Sequence, residues 1–254
     1  MDFSDTCRMP RKGSGRMDNT SYVALSRQVA LERRMAVVAE NIANMSTDGF
    51  KREQVLFEQA LERAGKPGRV AFVRDAGLVR DPAAGTIETT GNPLDLAING
   101  EGYFTVETPN GPRYTRGGHF VMGAAGEIVT SGGHALFDEG GGALVVPQGS
   151  GPIEVARDGT VSTAQGILGR ISLVRFADEA GLRREGDGLL RTNQAPEPVP
   201  MPDIAQGRIE RSNVQPVLEM TRMMETVRAF QSTQRLMETH HELVRRVIDA
   251  AGQG

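Results

Sequence analysis

The chain has 254 residues, enough for one large domain or two modest ones. Only 39% are hydrophobic and 5% aromatic, with no Trp and 31 Gly, a balance that disfavours a dense enzyme core and suits a turn-rich β region with helical arms. The 29 basic and 32 acidic residues are interspersed and sum to −3, which leaves no nucleic-acid footprint, and the lone Cys7 excludes a disulfide framework or a cysteine-based metal site.

Residues 1–16 (MDFSDTCRMPRKGSGR) are polar and aperiodic. They read as a disordered extension or as sequence upstream of a true start at Met17; a basic targeting tail is the functional alternative. They lack the apolar stretch of a cleavable secretory signal, and no run in the chain approaches the length of a membrane-spanning helix, so no membrane insertion is expected. From about Thr20 to Asn44, Leu31, Met35, Val38, Ile42 and Met45 step by four, three, four and three, the period of a helix that buries one seam against other helices. Asn19, Thr20 or Ser21 is the expected cap, and Ser46, Thr47, Asp48 and Gly49 the expected stop. Such a rod of roughly 36 Å is marginal alone in water. Residues 51–84 read as an extended connector holding one short strand at Val70, Phe72 and Val73, interrupted at Asp75, Gly77, Asp81 and Pro82.

A β-rich region is expected over residues 85–206. Leu94, Leu96 and Ile98 alternate up to Asn99-Gly100, and Tyr103 to Thr108 is expected to pair with Arg113 to Arg116 across Pro109-Asn110-Gly111. Ile153 to Arg157 and Thr160 to Thr163 flank Asp158-Gly159, a dipeptide that suits a type I′ turn. Ile171, Leu173, Val174 and Phe176 suggest a further strand, and the prolines at 196, 198, 200 and 202 an extended return segment. Ser212 with Gln215 resembles a capping box, Asn213 is an equal candidate for the cap, and a long helix follows from about Val217 to Ala250. On it Phe230, Met237 and Val244 recur every seven residues, flanked by Met220, Met224 and Val227 and by a second stripe of Leu236, Leu243 and Val247. Two apolar stripes on one helix suit a bundle made from several chains; one stripe would suffice for an intramolecular pair of helices docked on the β region.

No residue set stands out as a catalytic or metal site. His240 and His241 are adjacent and diverge by about 100° on a helix, whereas paired ligands sit three or four apart. His119 and His134 fall among glycine turns. Gly100-Glu101-Gly102 leads into a strand and not into the helix that a dinucleotide fingerprint opens. Asp81, Glu88, Asp95 and Glu101 have no spacing that selects them as a hydrolytic pair.

Three stretches carry a family resemblance. Residues 39–53, AENIANMSTDGFKRE, are similar to the pattern ANNLANxxTxGFK near the amino end of the bacterial flagellar rod and hook family, matching at Asn41, Ala43, Asn44, Thr47, Gly49, Phe50 and Lys51. Residues 90–120, TGNPLDLAINGEGYFTVETPNGPRYTRGGHF, resemble the core stretch of that family, and residues 207–230, GRIERSNVQPVLEMTRMMETVRAF, its Glu-x-Ser-Asn-Val and Glu-Met blocks. The tail VRAFQSTQRLMETHHELVRRVID most resembles proximal-rod members; distal-rod members carry a Gln-Arg-Ala-Tyr-Glu pattern where this chain has Val227-Arg228-Ala229-Phe230-Gln231, and hook members are larger.

The resemblance implies an α+β protein in which helices within 17–50 and 207–254 form a coiled-coil domain beside a central all-β domain. It also implies a structural, non-enzymatic subunit without cofactors, exported by the flagellar type III apparatus and polymerised helically in the rod spanning the periplasm. Its partners would be other rod subunits, copies of itself and the export apparatus. The expected assembly contacts are Leu31, Met35, Val38, Ile42, Met224, Val227, Phe230 and Met237, with Asn44 and Gly49 shaping the turn after the first helix. The competing class, a secreted β-rich enzyme or sugar-binding module, would need a concave cluster of aromatics or acids, for which only Tyr22, Tyr103 and Tyr114 are available, with no Trp.

Overall fold

The computed structural model describes residues 17–63 and 69–252. Two long helices, α1 over Met17–Ala43 and α2 over Pro216–Ala251, flank a region of short strands, an α+β organisation. The chain divides into two compact units, one drawn from residues 1–37, 55–77 and 221–254 and the other from 38–54 and 78–220.

In the first unit α2 covers polar positions. Thr226 and Thr233, seven apart, are buried, and His240 follows at the same interval half-buried. The two hydroxyls donate to carbonyls one turn back, Thr226 Oγ1 to Arg222 O at 2.7 Å and Thr233 Oγ1 to Ala229 O at 2.9 Å, so neither is left unsatisfied by burial. Glu53–Arg63 pairs with Arg69–Arg80 in a two-stranded sheet. The short strand expected around Val70–Val73 is therefore part of a twelve-residue strand that runs through Asp75 and Gly77, and a second strand precedes it. Gly77 sits at φ 126, a backbone state that lets the strand continue where a break was expected.

In the second unit the largest sheet has six antiparallel strands, in the order Arg183–Arg184, Leu190–Arg191, Gly111–Thr115, Tyr103–Thr108, Leu173–Arg175, Glu197–Pro198. The expected hairpin at 103–116 is present, with Thr108 opposite Gly111. Tyr103 to Val106 are all buried because the sheet carries a core on each face. Phe104, Val106 and Leu173 join Leu96, Phe120, Ile128 and Leu136 on one side; Tyr103, Tyr114, Val174, Phe176, Leu182 and Leu190 pack on the other. Phe104 meets Phe120 edge-on, centroids 5.3 Å apart, and Tyr114 meets Phe176 likewise at 4.7 Å. Leu96–Ile98 pairs with Ile204–Gln206, and Ile87–Thr89 with Arg208–Glu210, so the segments before and after the six-stranded sheet close on each other. The proline-rich return is extended, with Glu197–Pro198 on the sheet edge beside Leu173–Arg175, where a missing N–H is tolerated.

Three local expectations are corrected. α1 begins at Met17, which puts Asn19, Thr20 and Ser21 inside the helix and not at its cap. α2 begins at Pro216, whose fixed φ suits the first helical position, with Gln215 O accepting from Glu219 N at 3.0 Å. Ser212 Oγ instead accepts from Val214 N at 3.2 Å, so no capping box forms. At 158–159 only Gly159 has positive φ, which excludes type I′. Asp158 accepts from Thr160 N at 3.1 Å and Thr160 Oγ1 at 3.0 Å, and Gly159 N bonds Ala156 O at 3.0 Å, closing a wider turn.

Candidate functional site

The three stretches that carry the family resemblance converge in the second unit on one buried carboxylate. Glu210 is 1% exposed. Its Oε1 accepts from Lys51 Nζ at 2.5 Å and Gly85 N at 2.9 Å, and its Oε2 from Arg116 Nε at 2.7 Å. Arg116 spends its other donors on the turn around Asn99-Gly100, reaching Gly102 O at 2.6 Å, Gly100 O at 2.5 Å and Ile98 O at 3.5 Å. Burial raises the Glu210 carboxyl, but the Arg116 charge and the bonds from Lys51, Arg116 and Gly85 outweigh it and hold the group below the ordinary glutamate value. Lys51 also moves down, because burial, with the Arg116 charge adding to it, outweighs the bond and charge of Glu210 and the charge of Glu179. Two cations on one anion favour ionisation of the anion more than of either cation.

Two asparagines extend this clasp. Asn41 Nδ2 donates to Glu53 O at 2.8 Å and its Oδ1 accepts from Glu53 N at 2.9 Å, as a paired strand would. Asn213 Oδ1 accepts from Arg52 N at 2.7 Å, and its Nδ2 donates to Ala83 O at 2.9 Å and Asp81 O at 3.3 Å. Asn44 and Gly49 shape the turn after α1. Asn44 Nδ2 folds back to Glu40 O at 2.9 Å and its Oδ1 accepts from Thr47 Oγ1 at 3.2 Å. Gly49 lies at φ 69, its N–H reaches Glu210 O at 2.7 Å, and a Cβ there would fall 2.3 Å from the Arg116 carbonyl carbon. Only glycine satisfies both the angle and the space.

The expected contact residues divide by exposure. Val38 is buried within the single chain, Leu31, Met35, Ile42, Val227, Phe230 and Met237 are half-buried, and Met224 is exposed. The second stripe of α2, Leu236, Leu243 and Val247, is 54–60% exposed, with Ile248 beside it at 63%; Met220 and Met224 of the first stripe are exposed as well, at 46% and 57%. On α1 Leu25 and Val29, four residues apart and outside the expected seam, are also exposed. Ala24 of α1 and residues 236–238 and 240–242 of α2 line a groove of about 510 Å³. His240 and His241 lie on that groove, His119 Nδ1 is 2.8 Å from Asp95 Oδ1, and His134 Nε2 is 3.8 Å from Asp187. Among the described residues no group of three or more His, Cys, Asp or Glu side chains is placed to hold a metal ion. No helix among them is long and apolar enough to cross a membrane. Asp81 and Glu88 are each engaged by an arginine, Arg52 and Arg211 respectively.

Three family profiles match in chain order: "Flagella basal body rod protein" over residues 22–51, "Flagellar hook protein FlgE/F/G D1 domain" over 97–163, and "Flagellar basal body rod FlgEFG protein C-terminal" over 205–250. The chain is 43% identical to the flagellar basal-body rod protein FlgF of Caulobacter vibrioides across 93% of this chain and 99% of that one. It is 38% identical to FlgF of Mesorhizobium japonicum, covering 87% and 92%, and 30% identical to the rod protein FlgG of Bacillus subtilis, covering 90% and 97%. With matches of this extent, and with all three signature stretches meeting at Glu210, the chain belongs to the FlgF-type flagellar basal-body rod proteins.

Proposed function

We propose that the chain is a structural subunit of the proximal rod of the flagellar basal body, polymerising helically and carrying torque from motor to hook. The observation that carries the assembly role is the open stripe Leu236, Leu243, Val247 and Ile248 on α2, apolar surface that a lone chain leaves in water. A helical array forms from complementary patches that do not close on themselves, and knobs-into-holes packing along such a stripe gives axial stiffness. In this reading residues 17–50 and 207–254 belong to a coiled-coil domain, 51–84 is the connector, 85–206 is the β-rich domain, and 1–16 is dispensable. The assembly contacts with surface left for a neighbour are Leu31, Met35, Ile42, Met224, Val227, Phe230 and Met237 with the second stripe of α2, while Val38 is already covered within the single chain, and Asn44 and Gly49 hold the turn after α1. The higher identity to FlgF than to FlgG relatives favours the proximal over the distal position. The partners are other rod subunits, further copies of this chain and the type III export apparatus.

The role is mechanical and involves no catalysis. A sugar-binding platform is disfavoured because Tyr103 and Tyr114 are 3% and 6% exposed and pack on Phe176. The test is the double variant Leu236→Asp with Leu243→Asp. Both positions are exposed, so the free chain should fold as the parent does, while carboxylates cannot enter a packed seam without partners. Cells producing it should lack complete rods and not swim. Normal rods would refute the assignment of this stripe.

A further inference from the structure

The strand Glu197–Pro198 forms one outer edge of the six-stranded sheet, and an edge strand ordinarily offers a row of N–H and C=O groups to any extended chain that comes alongside. Here the row alternates with proline, in the order Pro196, Glu197, Pro198, Val199, Pro200. The register fixes which way each backbone group points. Val199 N donates inward to Leu173 O at 3.0 Å, while Glu197 lies opposite Arg175 and Pro198 opposite Val174. Successive residues of a strand turn their backbone groups to opposite sides, so with Val199 N inward the nitrogen of Pro198 lies on the outer side. Pro196 and Pro200 fall on that side by the same alternation, and all three prolines are exposed. A slip of one residue is barred. It would turn the prolines toward Leu173–Arg175, leaving no N–H to bond there, and would lift Val199 off the main core against which it packs. The opposite edge of the sheet, Arg183–Arg184, is two residues long, and Leu182 O beside it accepts from Arg80 Nη2 at 3.4 Å.

We propose that Pro196, Pro198 and Pro200 close this edge to strand addition, so that a neighbouring molecule meets it through side-chain donors and not through a further β-strand. An incoming strand would lie about 4.8 Å away and point its carbonyls at three proline rings. Each such carbonyl would lose water and gain no N–H in return, which is costly. The outward carbonyls of the same prolines stay open to a guanidinium or amide side chain. Copies of the chain packed side by side can therefore touch at this edge without fusing their sheets. The helical seam of α2 plays no part in this, so the edge can prove open while the rod role stands.

The test uses the full-length chain carrying Leu236→Asp and Leu243→Asp, which removes the α2 stripe as another route to association. Pro196→Thr, Pro198→Thr and Pro200→Thr are then added together, because threonine favours strands and supplies the missing N–H groups without creating an apolar patch. In sedimentation velocity over a wide range of concentration, the threonine variant should sediment faster as concentration rises, while its proline-bearing parent keeps one sedimentation coefficient. Hydrogen exchange locates the contact: the new amides at 196, 198 and 200 should slow by about tenfold or more between dilute and concentrated samples. If the threonine variant sediments as its parent does, or associates while those amides still exchange at the dilute rate, the proposal is overturned. Should the triple change abolish the near-ultraviolet tyrosine signal of the folded chain, Pro198→Thr alone is read in the same way. It adds one outward N–H in the middle of the edge and should show the same shift at higher concentration; its absence there overturns the proposal equally.

Discussion

Replacing Glu210 by Gln removes one charge and almost no volume from the middle of the second unit. The carboxylate is 1% exposed, and the side chains of Lys51 and Arg116 that it holds are each 7% exposed. The amide can accept from one of these cations, but its NH2 then faces the other, donor against donor. Breaking a buried pair in this way costs about 3–5 kcal/mol, because the surviving charges stay buried without their partner. With a urea slope of about 2 kcal/mol per molar, the midpoint should fall by roughly 1.5–2.5 M. The readout is the near-ultraviolet circular dichroism of tyrosine, since Tyr103 and Tyr114 both pack on Phe176 in the same unit. Glu197→Gln is the control. Its partner Arg175 is 3.3 Å away, but the two side chains are 54% and 47% exposed, so the change should cost less than about 1 kcal/mol. A Glu210→Gln midpoint no lower than that of Glu197→Gln would refute the reasoning that this carboxylate anchors the signature stretches.

The same group sets an acid limit. Its folded value lies below the ordinary 4.5, so the folded chain binds fewer protons than the unfolded one between those two values. The stability it supplies is complete above about 4.5 and lost as pH falls through the folded value; urea midpoints against pH should show this limb in the parent and a flatter one in Glu210→Gln. Gly49→Ala and Gly91→Ala impose similar positive angles, 69° and 76°, but only the Cβ at 49 meets backbone, 2.3 Å from Arg116 C, while nothing lies within 4 Å at 91. Gly91→Ala should cost about 1–2 kcal/mol and Gly49→Ala distinctly more, the difference in urea midpoints isolating the clash. Asp187, the single non-glycine residue at positive φ among those described, is exposed, and Asp187→Gly should stabilise by up to about 1 kcal/mol in the same assay.

Features encoded locally were readable from sequence. The hairpin at 103–115 has a turn dipeptide between apolar runs, and the last helix carries a heptad over many turns. Where two local signals competed, the weaker one won through contacts a linear reading cannot weigh. Ser212 and Asn213 both look like caps, yet the Asn213 amide is committed to Arg52, Asp81 and Ala83, far earlier in the chain, and Pro216 opens the helix. Glu53–Arg63 lacks the strict alternation of a half-buried strand, and Asp75 and Gly77 in its partner read as breaks. The exposure of α2 was legible only in part: two stripes were visible, but not that Thr226 and Thr233 take the covered face. The clasp is least local of all. Lys51, Arg116 and Glu210 are ordinary charges until folding brings them together across 159 positions of sequence, and the motifs containing them were the one sign of it.

Hydrogen exchange, measured on the free chain and on the same chain in purified basal bodies, tests the assembly role most directly. We expect amides in Tyr103–Thr108 and Leu173–Arg175 to exchange slowly in both states, because the core that protects them lies within one chain. Amides of α2 from about residue 236 to 248 should exchange quickly in the free chain and become protected only in the basal body, where neighbouring subunits cover the open stripe. Equal protection of α2 in both states would contradict the proposal that this face is an assembly seam.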